Sequence, residues 1–138
     1  HANQLNRAAG GPGLSKQAYH LFEKIREIDA VMTPDLSRGV VFETHPELTF
    51  TELSGKPAVH RKKTREGREE RLALLVAQGL PEALFAPHPF KASLCAPDDL
   101  VDAGLCVVTA MRIAGGEALR LPEDPPEDEQ GLLMALHA

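Results

Sequence analysis

One segment constrains the fold of this chain more than any other: PDDLVDAGLCVVTAMRIAGG, residues 97–116. Pro97 suits the first turn of a helix, and the glycine pair at its end terminates it. A helix that is apolar nearly all round is typically buried. We therefore expect a helix over 97–114 at the centre of the fold. Its apolar residues are Leu100, Val101, Ala103, Leu105, Cys106, Val107, Val108, Ala110, Met111 and Ile113.

A second segment, VVFETHPELTF at residues 40–50, predicts a buried strand from Gly39 to Thr44. Nearly continuous apolar residues are typical of strands that are covered on both faces in α/β sheets. Along this strand Val41, Glu43 and His45 share one face. A carboxylate at the end of an apolar strand is costly to desolvate unless it is paired or protonated. Glu43 therefore needs a salt bridge, a proton or a metal ion.

The remaining pattern completes an α/β chain, with a flexible, glycine-containing lead over residues 1–13 and a single domain over 14–138. Ser15 is a favourable N-cap, and Pro34 ends the helix that follows it. The other predicted elements are a helix from Ser15 to about 32, a short turn or helix after Pro46, a helix from Thr64 to Gln78, an extended piece at 119–121 and a terminal edge strand at 131–138.

Three aspartates open the central helix: Asp98, Asp99 and Asp102. Capping and the helix dipole explain Asp98 or Asp99 well. They explain Asp102 less well, because it lies deeper and between apolar neighbours. If Glu43 converges on these aspartates, a divalent cation would relieve their repulsion. Oxygen ligands suit Mg²⁺ or Mn²⁺ rather than zinc, and such ions support phosphodiester hydrolysis.

Four segments in order, KIREID (24–29), VVFETHPELTF, KKTREGREER (62–71) and PDDLVDAGLCVVTA (97–110), resemble a predicted-nuclease family called domain of unknown function 429. The resemblance spans roughly 14–136 and implies a ribonuclease-H-like, three-layer α/β fold. More distantly, the Glu on a strand and the D-x-x-D-A helix are similar to the RuvC-type Holliday-junction resolvases.

The resemblance implies catalytic and metal-binding roles for Glu43, Asp99 and Asp102, with Asp98 as an alternative to Asp99. His45 and Glu47 belong to the H-P-E motif as auxiliary candidates, to which the resemblance assigns no role. The alternatives are a structural, hydrogen-bonded role for His45 and a capping role for Glu47 at the turn after Pro46. The family begins with a glycine-flanked Asp on a first strand, which has no counterpart before residue 14. We therefore expect the chain to be the C-terminal part of the domain, lacking about three strands.

The charge of −5 is unevenly distributed, because EDPPEDE (123–129) carries five acids, whereas RKKTREGREER (61–71) carries six basic residues against three acids. The basic run is either a solvated helix face or a phosphate-contacting patch. On the second reading, nucleic acid is the partner. Cys95 and Cys106 have no zinc spacing and predict reduced thiols in a cytoplasmic protein. The patch residues are Arg61, Lys62, Lys63, Arg65 and Arg68.

Three functions follow from these features. The first is an Mg²⁺- or Mn²⁺-dependent nuclease. The second is a non-catalytic module, binding nucleic acid or protein on the same fold, which the missing first-strand Asp favours. The third is a metal-dependent phosphohydrolase acting on a small substrate. The unpaired strand predicts either a missing N-terminal companion segment or a homodimer.

Overall fold

A computed structural model describes residues 2–138 of the chain and combines six α helices with a small mixed sheet, in agreement with the α/β class. None of the helices in this described part is long and apolar enough to cross a membrane. A short 3-10 helix covers Glu82–Leu84. The helices are α1 Ala2–Ala8, α2 Lys16–Asp29, α3 Pro34–Gly39, α4 Pro46–Ser54, α5 Arg65–Ala77 and α6 Pro97–Gly115; the strands are β1 Glu43–Thr44, β2 Arg120–Leu121 and β3 Leu136–His137.

Local capping determines where three of these helices begin. The hydroxyl oxygens of Ser15, Thr33 and Thr64 each accept a hydrogen bond from the backbone N–H three residues ahead. These bonds satisfy N–H groups that have no partner within the helix. The helices predicted after Ser15 and from Thr64 are thereby confirmed. Helix α1 was not predicted, and it lies within the 1–13 segment.

The core lies where α4, α5 and α6 pack together. Gly104 permits this approach, because a Cβ atom at that position would lie 2.7 Å from the Leu75 Cδ1 atom and 2.9 Å from the Phe85 ring. The buried apolar cluster comprises Phe50, Leu75, Leu80, Phe85, Val101, Leu105 and Val108. Removing these side chains from water supplies the main stabilisation of the three helices.

Threonine hydroxyls connect the sheet to this core. The Oγ1 atoms of buried Thr49 and Thr109 lie 2.8 Å apart, and the Thr109 hydroxyl also donates to the Leu105 carbonyl at 3.1 Å. Thr44 Oγ1 donates to the His137 carbonyl at 2.8 Å. It also lies 3.4 Å from both of the other hydroxyl oxygens. The network fixes β1 and β3 against α4 and α6.

The sheet has the order β1-β3-β2, in which β3 pairs parallel with β1 and antiparallel with β2. The chain end was predicted as an edge strand, and this is wrong because β3 is central. The extended piece predicted at 119–121 is confirmed as β2. Strand β1 lies at one edge.

Two predictions of burial are also wrong. The strand expected from Gly39 begins only at Glu43, because α3 extends through Gly39, and Val40 is 68% exposed. Helix α6 begins at Pro97 as predicted and ends one residue after the predicted end, but Val107 and Met111 on its outer side are exposed. Helices α4 and α5 cover only one side of α6. Apolar residues on the other side of α6 therefore stay exposed.

Candidate functional site

The N-terminal turns of α6 and the loop before α5 form a cluster of opposite charges. Asp102 lies in the second turn of α6, where its side chain is only 18% exposed. Lys62 Nζ donates to Asp102 Oδ2 at 2.6 Å. The other oxygen, Oδ1, is buried and has no hydrogen-bond partner among the described residues. A buried carboxylate oxygen without a donor is unfavourable, so Asp102 has capacity for a further ligand.

The acidic surroundings of Lys62 favour its charged form. Its hydrogen bond to Asp102 raises the Lys62 pKa above the usual 10.5, and the charges of Asp102, Asp98 and Glu47 act in the same direction, against the opposing effect of burial. Three carboxylates therefore act on one ammonium group. The thiol of Cys106, one turn after Asp102, has a raised pKa because of burial and, to a smaller extent, the Asp102 charge.

Asp99 has a different role. Its Oδ2 atom accepts a hydrogen bond from the backbone N–H of Ala96 at 3.3 Å, the residue that precedes α6. This is the capping role that the sequence left open for one of the first two aspartates. Asp98 is half-buried and acts electrostatically on Lys62. Of the three aspartates, Asp102 contacts the lysine, and Asp98 acts on it through its charge.

A second ion pair joins α4 to α5. Arg71 is 3% exposed, and its Nε and Nη2 atoms donate to Glu47 Oε1 at 2.9 Å and Oε2 at 2.7 Å. Its Nη1 atom donates to the Gly67 and His60 carbonyls. The guanidinium also lies 5.3 Å from the Phe50 ring centre, within the range of a cation–π interaction. Glu47 therefore anchors a buried cation.

Arg71 was not singled out from the sequence. The signal available in the sequence was its position in α5, at the boundary between the charged first half and the apolar second half. A basic residue at such a boundary can extend its side chain into the core. Gly67 contributes to its placement: a Cβ atom there would lie 2.0 Å from the Arg61 carbonyl oxygen, so only glycine lets this loop approach α5.

Glu43 and His45 lie away from Asp102. Glu43 is exposed on β1 and lines a groove beside α2, with His137 on the same wall. The neighbouring residue, Thr44, contacts Thr109, which follows Asp102 by two helical turns, or about 10 Å of helix rise. His45 is exposed at the start of α4 and makes no side-chain capping bond. Over residues 2–138 there is no group of three or more His, Cys, Asp or Glu side chains arranged to hold a metal ion.

The basic segment is partly neutralised by its own surroundings. Lys62 pairs with Asp102, and Arg65 Nε donates to Glu69 Oε1 at 2.7 Å along α5. Arg68 donates to the Lys63 carbonyl at 2.8 Å. Arg61 and Lys63 are exposed on either side of Lys62. The segment thus presents basic side chains to solvent on either side of Lys62, which contacts the acidic cluster formed by Asp98 and Asp102.

Comparison with known proteins identifies a family. A family model described as a protein of unknown function, DUF429, matches residues 1–127, which include the acidic cluster, the basic segment and α1. No curated protein and no solved structure matches the chain.

Proposed function

Since this chain belongs to the DUF429 family of proteins of unknown function, we propose that it is a metal-dependent nuclease of ribonuclease-H-like fold. The single observation that carries the proposal is the state of Asp102. Its carboxylate is largely buried, one oxygen is held by Lys62, and the other has no partner among the described residues. Desolvation strengthens the interaction of such a carboxylate with a cation.

The donor set fits a hard divalent cation. Asp102 and Asp98 supply carboxylate oxygens, which Mg²⁺ and Mn²⁺ prefer. The ion would lie at these two residues and not at Asp99, which caps α6, or Glu43, which faces the groove. A divalent cation held there would supply Lewis-acid chemistry for phosphodiester hydrolysis. Lys62 already holds a positive charge at the same carboxylate.

The exposed basic residues favour nucleic acid as the substrate. Arg61 and Lys63 are exposed and flank Lys62. A phosphate backbone lying along this loop would contact both of them and would approach the α6 N-terminus, where the helix dipole is positive. A divalent cation at Asp102 would compete with Lys62 for this carboxylate, and a displaced Lys62 ammonium would be available to a phosphate oxygen. Arg65 and Arg68 follow on α5, where Glu66, Glu69 and Glu70 offset their charge.

A pair of variants distinguishes a metal ligand from a helix cap: Asp102→Asn and its matched control, Asp99→Asn. We expect Asp102→Asn to abolish Mg²⁺ or Mn²⁺ binding in calorimetry and cleavage of fluorescent single- and double-stranded DNA and RNA. Asp99→Asn should keep both, because its role is to accept one backbone hydrogen bond. Equal metal binding by wild type and Asp102→Asn, with circular dichroism unchanged, would refute the site.

A second candidate is a nucleic-acid-binding module without catalysis. The observation that favours it is that Asp102 and Glu47 are each already compensated by a cation, Lys62 and Arg71. Such a module would bind oligonucleotides with the same affinity in Mg²⁺ and in EDTA at matched ionic strength and would leave them intact. Arg61→Ala with Lys63→Ala should then weaken binding and reduce its salt dependence.

A further inference from the structure

The loop that carries Lys62 is fixed to α5 by contacts that do not involve the Lys62 side chain. The Glu70 carboxylate accepts hydrogen bonds from the backbone N–H groups of Val59 at 2.9 Å and His60 at 3.0 Å. Arg71 Nη1 donates to the His60 carbonyl at 3.2 Å. The backbone before Lys62 therefore keeps its place whatever its ammonium group contacts.

The backbone on the other side of Lys62 is fixed in the same way. The Thr64 hydroxyl and the Thr64 backbone N–H both donate to the Arg61 carbonyl, each at 2.9 Å. Gly67 of α5 approaches this carbonyl so closely that a Cβ atom on the glycine would overlap it. Because the lysine stem is long and flexible, the Lys62 side chain can change partners without moving the loop.

The ion pair between Lys62 and Asp102 has one accessible member. The Lys62 side chain is 39% exposed, whereas that of Asp102 is 18% exposed. Among residues 2–138, Lys62 Nζ is the one hydrogen-bond donor to this carboxylate, whose Oδ1 atom has no partner. Water and anions can therefore reach the ammonium group, and an accessible ion pair costs less to open than a fully buried one.

The charges of the acidic cluster favour a divalent cation over an ammonium group. Asp98 and Asp102 carry two negative charges, and both act on Lys62, which carries one positive charge. A divalent cation in the place of the ammonium would balance both aspartates and would take the unpartnered Asp102 Oδ1 as a ligand. Lys62 thus competes for the same carboxylate with half the charge.

We propose that Lys62 couples the two binding events of the proposed function, on which this inference rests. In the free protein the Lys62 ammonium occupies Asp102 and opposes the binding of a divalent cation there. A nucleic-acid phosphate beside the exposed Arg61 and Lys63 takes the Lys62 ammonium as a third cation and releases the Asp102 carboxylate. Each ligand then strengthens binding of the other by the same factor, as linkage requires.

Titration calorimetry of the full chain with MnCl2, without nucleic acid, tests the competition. We expect Lys62→Met to bind Mn²⁺ on the order of tenfold more tightly than the wild type, within the usual range of such couplings. Lys63→Met is the matched control, because it removes the same charge from the exposed neighbour and leaves the Lys62–Asp102 contact intact. If Lys63→Met gains as much Mn²⁺ affinity as Lys62→Met, general charge explains both and the inference is overturned.

Fluorescence anisotropy tests the coupling itself. The probe is a labelled phosphorothioate DNA oligonucleotide, which resists cleavage, in Mn²⁺ or in EDTA at matched ionic strength. We expect Mn²⁺ to raise the affinity of the wild type for this oligonucleotide on the order of tenfold. Lys62→Met should show no such gain, because its Asp102 carboxylate is already free before the oligonucleotide binds.

Two results overturn the coupling and leave the metal site in place. They are equal Mn²⁺ affinities of wild type and Lys62→Met, and a wild-type oligonucleotide affinity that is the same in Mn²⁺ and in EDTA. In both cases Mn²⁺ binding that is lost in Asp102→Asn would confine the failure to the role of Lys62. If neither the wild type nor Lys62→Met binds Mn²⁺, the coupling and the proposed function are overturned together.

Discussion

Lys62 Nζ lies 2.6 Å from Asp102 Oδ2 and joins residues forty positions apart in the chain. The contact closes the loop before α5 onto the second turn of α6, and it determines the charge at the candidate site. Lys62 is partly exposed, whereas Asp102 is largely buried. Removal of the two partners should therefore have unequal consequences.

Lys62→Met should destabilise the protein by about 1–2 kcal/mol, between the values of exposed and of buried ion pairs. The reason is that Asp102 would stay largely buried without a counter-charge. Asp102→Asn should cost less, because it leaves a solvent-accessible ammonium. Urea unfolding of both single variants and of the double variant measures the coupling, and a coupling free energy of zero would contradict the contact.

The same pair predicts a dependence of stability on alkaline pH. Because Asp102 raises the Lys62 pKa in the folded protein, this ammonium stabilises the fold fully below its unfolded pKa of about 10.5. The stabilisation is lost as the pH rises through the higher folded pKa. The difference in unfolding free energy between wild type and Lys62→Met should therefore shrink above pH 10.5. If this difference in unfolding free energy stays constant from neutral pH to well above pH 10.5, the Lys62 pKa does not contribute to stability in this way.

Gly104→Ala should cost about 1–3 kcal/mol, because its Cβ atom would overlap Leu75 and Phe85 in an already packed core. Gly115→Ala is the matched control in the same helix, since its Cβ atom would meet nothing closer than 3.9 Å. There, alanine should be neutral or slightly stabilising. Thermal unfolding compares the two variants, and equal melting temperatures would contradict the close packing of α5 on α6.

The sequence predicted those elements whose cause is local. Ser15 and Thr64 cap their own helices, and Pro97 and Gly116 bound α6, so these ends follow from neighbouring residues. The strand predicted from Gly39 failed because Thr33 and Pro34 start another helix, which extends through Gly39.

The contacts of the candidate site depend on tertiary packing instead. The sequence left Asp99 open as either a cap or a ligand, and the capping role is the one the structure contains. Nothing local indicates that Lys62 reaches Asp102, or that Glu47 holds Arg71 from 24 residues away. Val40 and Val107 are exposed for the same reason, because burial needs covering elements that composition does not specify.

Arg71→Lys should destabilise the protein by about 1–3 kcal/mol, although the charge is conserved, because Arg71 is buried and its hydrogen bonds depend on the planar guanidinium, whereas Glu47 is 37% exposed. A lysine would lose the two-point contact with Glu47 and the bonds to the Gly67 and His60 carbonyls. Arg65→Lys is the matched control, since that pair with Glu69 is exposed. It should change stability by no more than about 0.5 kcal/mol. Chemical denaturation measures both, and equal effects would show that Arg71 is not anchored by its buried hydrogen bonds.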